Sequence, residues 1–146
     1  AQLERIWGPG DGRPVADLKI ATDHLLQEYL GSGLKDEAAR CVKQLAAPYF
    51  HHEIVKRAIV CALDRSVEQR QSMSALLEYL VKEEMVSQAQ ATKGFRRIYG
   101  IISDLILDTP NAPSLVNEFT QRAIEAEVLP HTCKELITGD TQCADE

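Results

Sequence analysis

"APYFHHEIVKRAIVCALDRS", residues 47–66, decides the fold class. Phe50, Ile54, Val55, Ala58, Ile59, Ala62 and Leu63 recur at helical spacing, so one broad face of an α-helix gathers all of them. A half-buried strand would alternate apolar and polar residues instead, and no such alternation survives a scan of the chain. Pro48 cannot extend a helix arriving from its N-terminal side, so the segment begins a new element.

The same period appears on both sides of this stretch. Upstream, Leu18, Ala21, Leu25, Leu26, Tyr29 and Leu30 form a stripe that "GSG" at 31–33 ends, with Gly31 or Gly33 supplying a left-handed cap. Leu34, Ala38, Cys41, Val42 and Leu45 form a second stripe, stopped by Pro48. Downstream stripes run through Met73, Leu76, Leu77, Leu80 and Val81, then Phe95, Ile98, Tyr99 and Ile102. The last passes through Leu115, Val116, Phe119, Ala123, Ile124 and Val128. Short loops between such stripes force neighbouring helices antiparallel. A closed bundle and a short solenoid both satisfy that rule. The breadth of the stripes favours the solenoid, because it implies helices covered on two sides. The expected fold is all-α, a stack of antiparallel helix pairs.

Around this block, residues 1–14 hold three of the eight glycines and two prolines and read as a linker or ordered arm. Trp7, the only tryptophan, either docks on the domain or is solvated with the linker. Residues 15–138 form one domain, and the polar stretch 139–146 reads as a flexible tail. Beginning at Ala1, the chain reads as a piece of a longer protein, so the lack of a signal-peptide pattern carries no weight.

Net charge is −6 with 45% apolar residues. The acidic balance makes nucleic-acid binding a disfavoured reading, since the mild basic cluster at Lys93, Arg96 and Arg97 comes without an aromatic stacking platform, and it fits a basic protein partner better. No apolar run is long enough for a membrane span. Cys41, Cys61, Cys133 and Cys143 are widely spaced, and the first two fall on apolar helix faces. They read as buried, reduced thiols, consistent with a cytoplasmic and nuclear location. His131 and Cys133 lack the further ligands of a zinc site, so no metal and no cofactor is expected.

No catalytic set is legible either. His51 and His52 precede Glu53, but neighbours on a helix diverge by about 100° and cannot converge on one substrate atom. One is expected to face the core and the other solvent. "WGPGDG" lacks the preceding strand and following Lys-Ser/Thr of a phosphate loop. The chain reads as a non-enzyme.

"LILDTPNAPS", residues 105–114, interrupts the helical pattern. From Ile98 to Gln121 the only charged residues are Asp104, Asp108 and Glu118. Pro110 fixes its own backbone and pushes Thr109 out of helical geometry, while Pro113 suits the first turn of a following helix capped near Asn111 or Ala112. A short helical turn over Ser103–Leu107 would place Asp104 and Asp108 on one side, at a cost in mutual repulsion. Two readings follow: a solvated turn with Asp108 as a capping residue, or a rigid acidic docking corner.

"PYFHHEIVKRAI", "KGFRRIYGIISDLILDTPNAP" and "LVNEFTQRAI" together resemble the MA-3 domain family, in order and spacing, over residues from about Leu3 to Leu129. The lead-in "LERIWGPGDGRPV" resembles the segment before the C-terminal copy in members that carry two such domains in tandem, which are translation inhibitors and tumour suppressors. The resemblance implies a HEAT-like stack and, as partner, the DEAD-box RNA helicase eukaryotic initiation factor 4A. It assigns partner contacts to Asp104, Leu107, Asp108 and Pro110, which match the family pattern. It implies inhibition of unwinding and of cap-dependent initiation, in competition with RNA and initiation factor 4G, by a monomeric domain. The alternatives are an MA-3 domain of a 4G-type scaffold that supports translation, or of a splicing scaffold for another helicase.

Overall fold

Helix boundaries fall where the chain carries chemical stops. The computed structural model describes residues 15–45 and 47–137. Seven α-helices are described from end to end: α1 (Val15–Ser32), α2 (Lys35–Leu45), α3 (His51–Ala62), α4 (Val67–Lys82), α5 (Gln88–Gly100), α6 (Ile102–Asp108) and α7 (Ala112–Glu125), and residues 134–137 are also helical. Short 3₁₀ turns lie at Pro48–Phe50 and His131–Cys133, and no strand occurs among the described residues. Residues 1–14, Trp7 among them, and the tail from Thr138 lie outside the described residues.

Gly33 ends α1 with φ +72°, its N–H donating to Tyr29 O at 2.7 Å. Ser66 and Ser87 cap α4 and α5, accepting from Gln69 N at 3.2 Å and Gln90 N at 3.1 Å. Helices α4 and α7 share one stop. Glu84 (φ 61°) and Glu127 (φ 63°) take the left-handed position, and the next two amides fold back to Leu80 O and Ala123 O respectively.

Successive helices pair in a HEAT-like stack, and the most extensive contact joins α3 to α5. Gly94 sets that approach, because a Cβ there would lie 2.7 Å from His52 O and 2.9 Å from Val55 Cβ. Phe50, Phe95, Ile54, Ile59, Met73 and Leu76 are fully buried at the centre. Polar ties cross between helices. The Tyr29 hydroxyl donates to Ser72 O (2.7 Å), that of Tyr79 to Asp36 Oδ1 (2.9 Å), and Arg57 Nη1 to both Asp23 oxygens (2.9 Å).

Four expectations need correction. Leu34 is 57% exposed, because it precedes the first turn of α2, whose inward stripe starts at Ala38. Cys41 and Cys61 are free but half-buried, on the margins of their stripes, and only Cys133 of the described cysteines is buried. His51 and His52 are both buried, since α3 sits between neighbours on two sides. The stripe ending at Ile102 spans two helices, because the helix breaks at Ile101 (φ −115°, ψ 14°).

Candidate partner-binding corner

Helix α6 is seven residues long and contains no buried residue. Its hold on the domain comes from Ile102 and Leu105, which pack half-buried against the core. Asp104 N and Leu105 N bond to Ile101 O at 2.9 and 3.1 Å, and Thr109 N closes the last turn on Leu105 O at 2.8 Å. Thr109 is extended (φ −132°, ψ 91°), as a residue before proline must be. The chain then turns through Ala112 N to Thr109 O (2.9 Å) into α7, with Asn111 at the N-cap and Pro113 in the first turn. Ala112, Leu115 and Val116 are buried and pin the far side of the corner. Tyr99 ties α5 to α7, donating to Asn117 Oδ1 at 2.7 Å and lying 2.9 Å from Thr120 Oγ1.

Within this frame Asp104, Leu107 and Asp108 stand at helical positions i, i+3 and i+4, on one face. All three are exposed, Leu107 by 82%, and Pro110 is exposed two residues later. The four residues singled out in the sequence therefore lie together on one outward corner. Neither carboxylate has a hydrogen-bond or ion-pair partner among the described residues, and the N-cap at Asn111 makes no side-chain bond. Asp108 thus caps nothing. A pair of unneutralised carboxylates flanking an exposed leucine is suited to a basic surface with an apolar patch.

Two features were not legible in the sequence. Ile106, 38% exposed, widens the apolar part of the corner; its place in an unbroken apolar run hid which way it faces. A trough of about 560 Å³ lies beside the start of α6, between α1 and α3. Its lining includes Asp23, Lys56, Arg57, Cys61, Arg65 and Ile101, residues too far apart in sequence to suggest one another.

The histidine pair is built into the core. Burial, and then the neighbouring His52, hold the His51 imidazole below the ordinary histidine range. Burial does the same for His52, helped by Lys93 and Arg97 and opposed by the Gln90 hydrogen bond and Glu53. The Gln90 side-chain oxygen accepts from His52 N at 2.9 Å and sits 3.1 Å from Nδ1, which gives the residue a structural task between α3 and α5. Among the described residues no cluster of His, Cys, Asp or Glu could hold a metal, and no helix is long and apolar enough to cross a membrane.

Residues 18–130 match the MA3 domain family. An Arabidopsis thaliana protein named MA3 domain-containing translation regulatory factor 2 is 41% identical over 121 residues, covering 83% of this chain and 17% of its own length. Programmed cell death protein 4 of Rattus norvegicus is 37% identical over 135 residues, covering 91% of this chain and 29% of its own. The human protein of that name is 36% identical over 135 residues, with the same coverage. This chain therefore spans less than a third of the length of these relatives. With the family matched across the helical stack and relatives above 30% identity along most of the chain, the protein belongs to the MA3 domain family.

Proposed function

We propose that this domain regulates translation by binding eukaryotic initiation factor 4A through the α6 corner, lowering that helicase's unwinding of messenger RNA leaders. The observation that carries the reading is the shared exposed face of Asp104, Leu107 and Asp108, acidic, partly apolar and unneutralised, with Pro110 stiffening its end. A basic groove that binds RNA is the natural counterpart of such a face, and its occupation would compete with RNA. The names of the plant relatives, translation regulatory factors, support the general role. Binding without chemistry is part of the reading: the domain acts by occupancy, keeping the two helicase lobes from closing and competing with initiation factor 4G. A cytoplasmic and nuclear site of action follows from that partner.

The test is direct binding of the 146-residue chain to purified initiation factor 4A, with an unwinding assay alongside. Saturable binding with slowed unwinding is the expected result. Binding with faster unwinding would favour the scaffold alternative. No binding would refute the assignment of partner.

A further inference from the structure

Of the prolines in the chain, only Pro110 follows a hydroxyl side chain, that of Thr109. The pair joins α6 to α7, at the tip of the acidic corner. Thr109 is extended (φ −132°, ψ 91°) and half-buried, while Ile106, Leu107, Asp108, Pro110 and Asn111 around it are all exposed. Upstream, α6 contains no buried residue, and its last turn closes on the bond from Thr109 N to Leu105 O at 2.8 Å. A segment so lightly held opens locally at small cost. Downstream, the first fixed point is the buried Ala112, beyond both Pro110 and Asn111.

A protein kinase takes its acceptor in a short extended stretch, with the hydroxyl free to reach the γ-phosphate of ATP. Proline at the next position has no N–H to donate, which suits the class of kinase whose cleft requires none there. We propose that Thr109 is a phosphate-acceptor site for a proline-directed protein kinase, and that its phosphorylation unwinds the last turn of α6. Thr109 Oγ1 attacks the γ-phosphorus of ATP. The new O–P bond forms as the bond to the departing ADP breaks, and the hydroxyl proton passes to the kinase's catalytic carboxylate. The product carries about −1.5 to −2 charges at pH 7. It stands at the C-cap of α6, where the helix dipole opposes an anion, directly after Asp108 and a turn beyond Asp104. From Ile98 to Gln121 the sequence offers no Lys or Arg to neutralise it. Unwinding removes the spacing that sets Asp104, Leu107 and Asp108 on one face, so the modification takes the corner apart. The inference stands whatever partner the corner takes.

The test treats the 146-residue chain with a purified cyclin-dependent kinase and MgATP, and locates phosphate by mass spectrometry. A single phosphate should appear, on Thr109. Thr109→Val, which keeps the branched shape, should abolish incorporation, and Thr109→Ser should retain it. Pro110→Ala should slow it by at least ~10-fold. Should the valine variant prove less stable than the parent, the position of the phosphate in the unaltered chain decides by itself. In the phosphorylated chain, hydrogen exchange at the Thr109 amide should quicken by at least ~10-fold, while exchange at Phe95 and Ile98 in α5 stays as in the parent. No incorporation by a kinase that modifies a Thr-Pro control peptide would overturn the site, as would phosphate found only elsewhere. Phosphate on Thr109 with unchanged exchange at its amide would overturn the unwinding.

Discussion

Replacing Asp108 by alanine should move affinity and stability in opposite directions. Asp108 is the last residue of α6, where a negative charge opposes the helix dipole, and it stands four residues from Asp104. It is exposed and accepts no hydrogen bond or ion pair among the described residues. Removing it relieves about 0.3–1 kcal/mol of unfavourable dipole interaction and about 0.2–0.5 kcal/mol of repulsion. No cap is lost to offset this, so the free domain should become more stable by up to about 1 kcal/mol. Asp104 lies in the first turn of α6, where the dipole favours it. There the two terms nearly cancel, and Asp104→Ala should leave stability within about 0.5 kcal/mol.

Binding reverses the sign. Truncating one partner of a desolvated, hydrogen-bonded charge pair costs about 2–5 kcal/mol, so Asp108→Ala should weaken helicase binding by at least about tenfold. Leu107, 82% exposed, contributes little to the free fold, and Leu107→Ala should weaken binding by up to about 2 kcal/mol with an unchanged melting temperature. Urea denaturation and anisotropy titration against initiation factor 4A, on the same samples, read both quantities. A destabilised Asp108→Ala protein with parental affinity would refute the argument, because the carboxylate would then serve the fold.

Gly94→Ala should destabilise by about 1–2 kcal/mol: overpacking against His52 O and Val55 outweighs the helix-propensity gain of about 1 kcal/mol. Gly100→Ala, with nothing within 4 Å of the new Cβ, should be neutral or stabilising, and paired thermal melts check the contrast. Glu84→Gly should stabilise by about 1 kcal/mol, by relieving a side chain held at φ 61°; a drop in the denaturation midpoint would count against that strain. The buried histidines predict acid sensitivity. Their folded pKa values lie below the ordinary 6.5, so their stability contribution is complete above that pH and is lost as pH falls through the folded values. NMR titration of the His51 and His52 ring protons should place both midpoints below 6.5.

Periodicity made most of the fold legible because it reports which side of a helix is apolar. All seven stripe residues of the 47–66 segment are buried, as are those from Leu115 to Val128. Periodicity does not report what covers a helix from the second side. Burial of His51 depends on what meets the start of α3, where Val42, Lys43 and Met85 line the same hollow, and half-burial of Cys61 depends on how Gln27 of α1 reaches it at 3.2 Å. The corner was legible for another reason: proline constraints are local, so Pro110 and Pro113 set backbone geometry wherever they fall. The break at Ile101 was not legible, since an apolar residue after Gly100 carries no stop signal beyond the glycine itself.

That break separates the residues that fold the stack from those left on its surface. Had α5 run on through Asp108 as one helix, the second half would share the buried stripe of Phe95 and Ile98, with Ile102 and Leu105 drawn fully inward. Instead the chain turns at Ile101, and α6 packs only by its half-buried Ile102 and Leu105. The core is closed by α5 and α7, tied to each other through Tyr99, Asn117 and Thr120. Stability of the stack is therefore insensitive to the outward residues of α6, which can carry two repelling carboxylates and an exposed leucine at a cost of only about 1 kcal/mol. A surface tolerated by the fold but not required by it is where selection for a partner acts with least interference from stability. The acid pair is costly to the free domain, and the basic partner proposed above would neutralise it on binding.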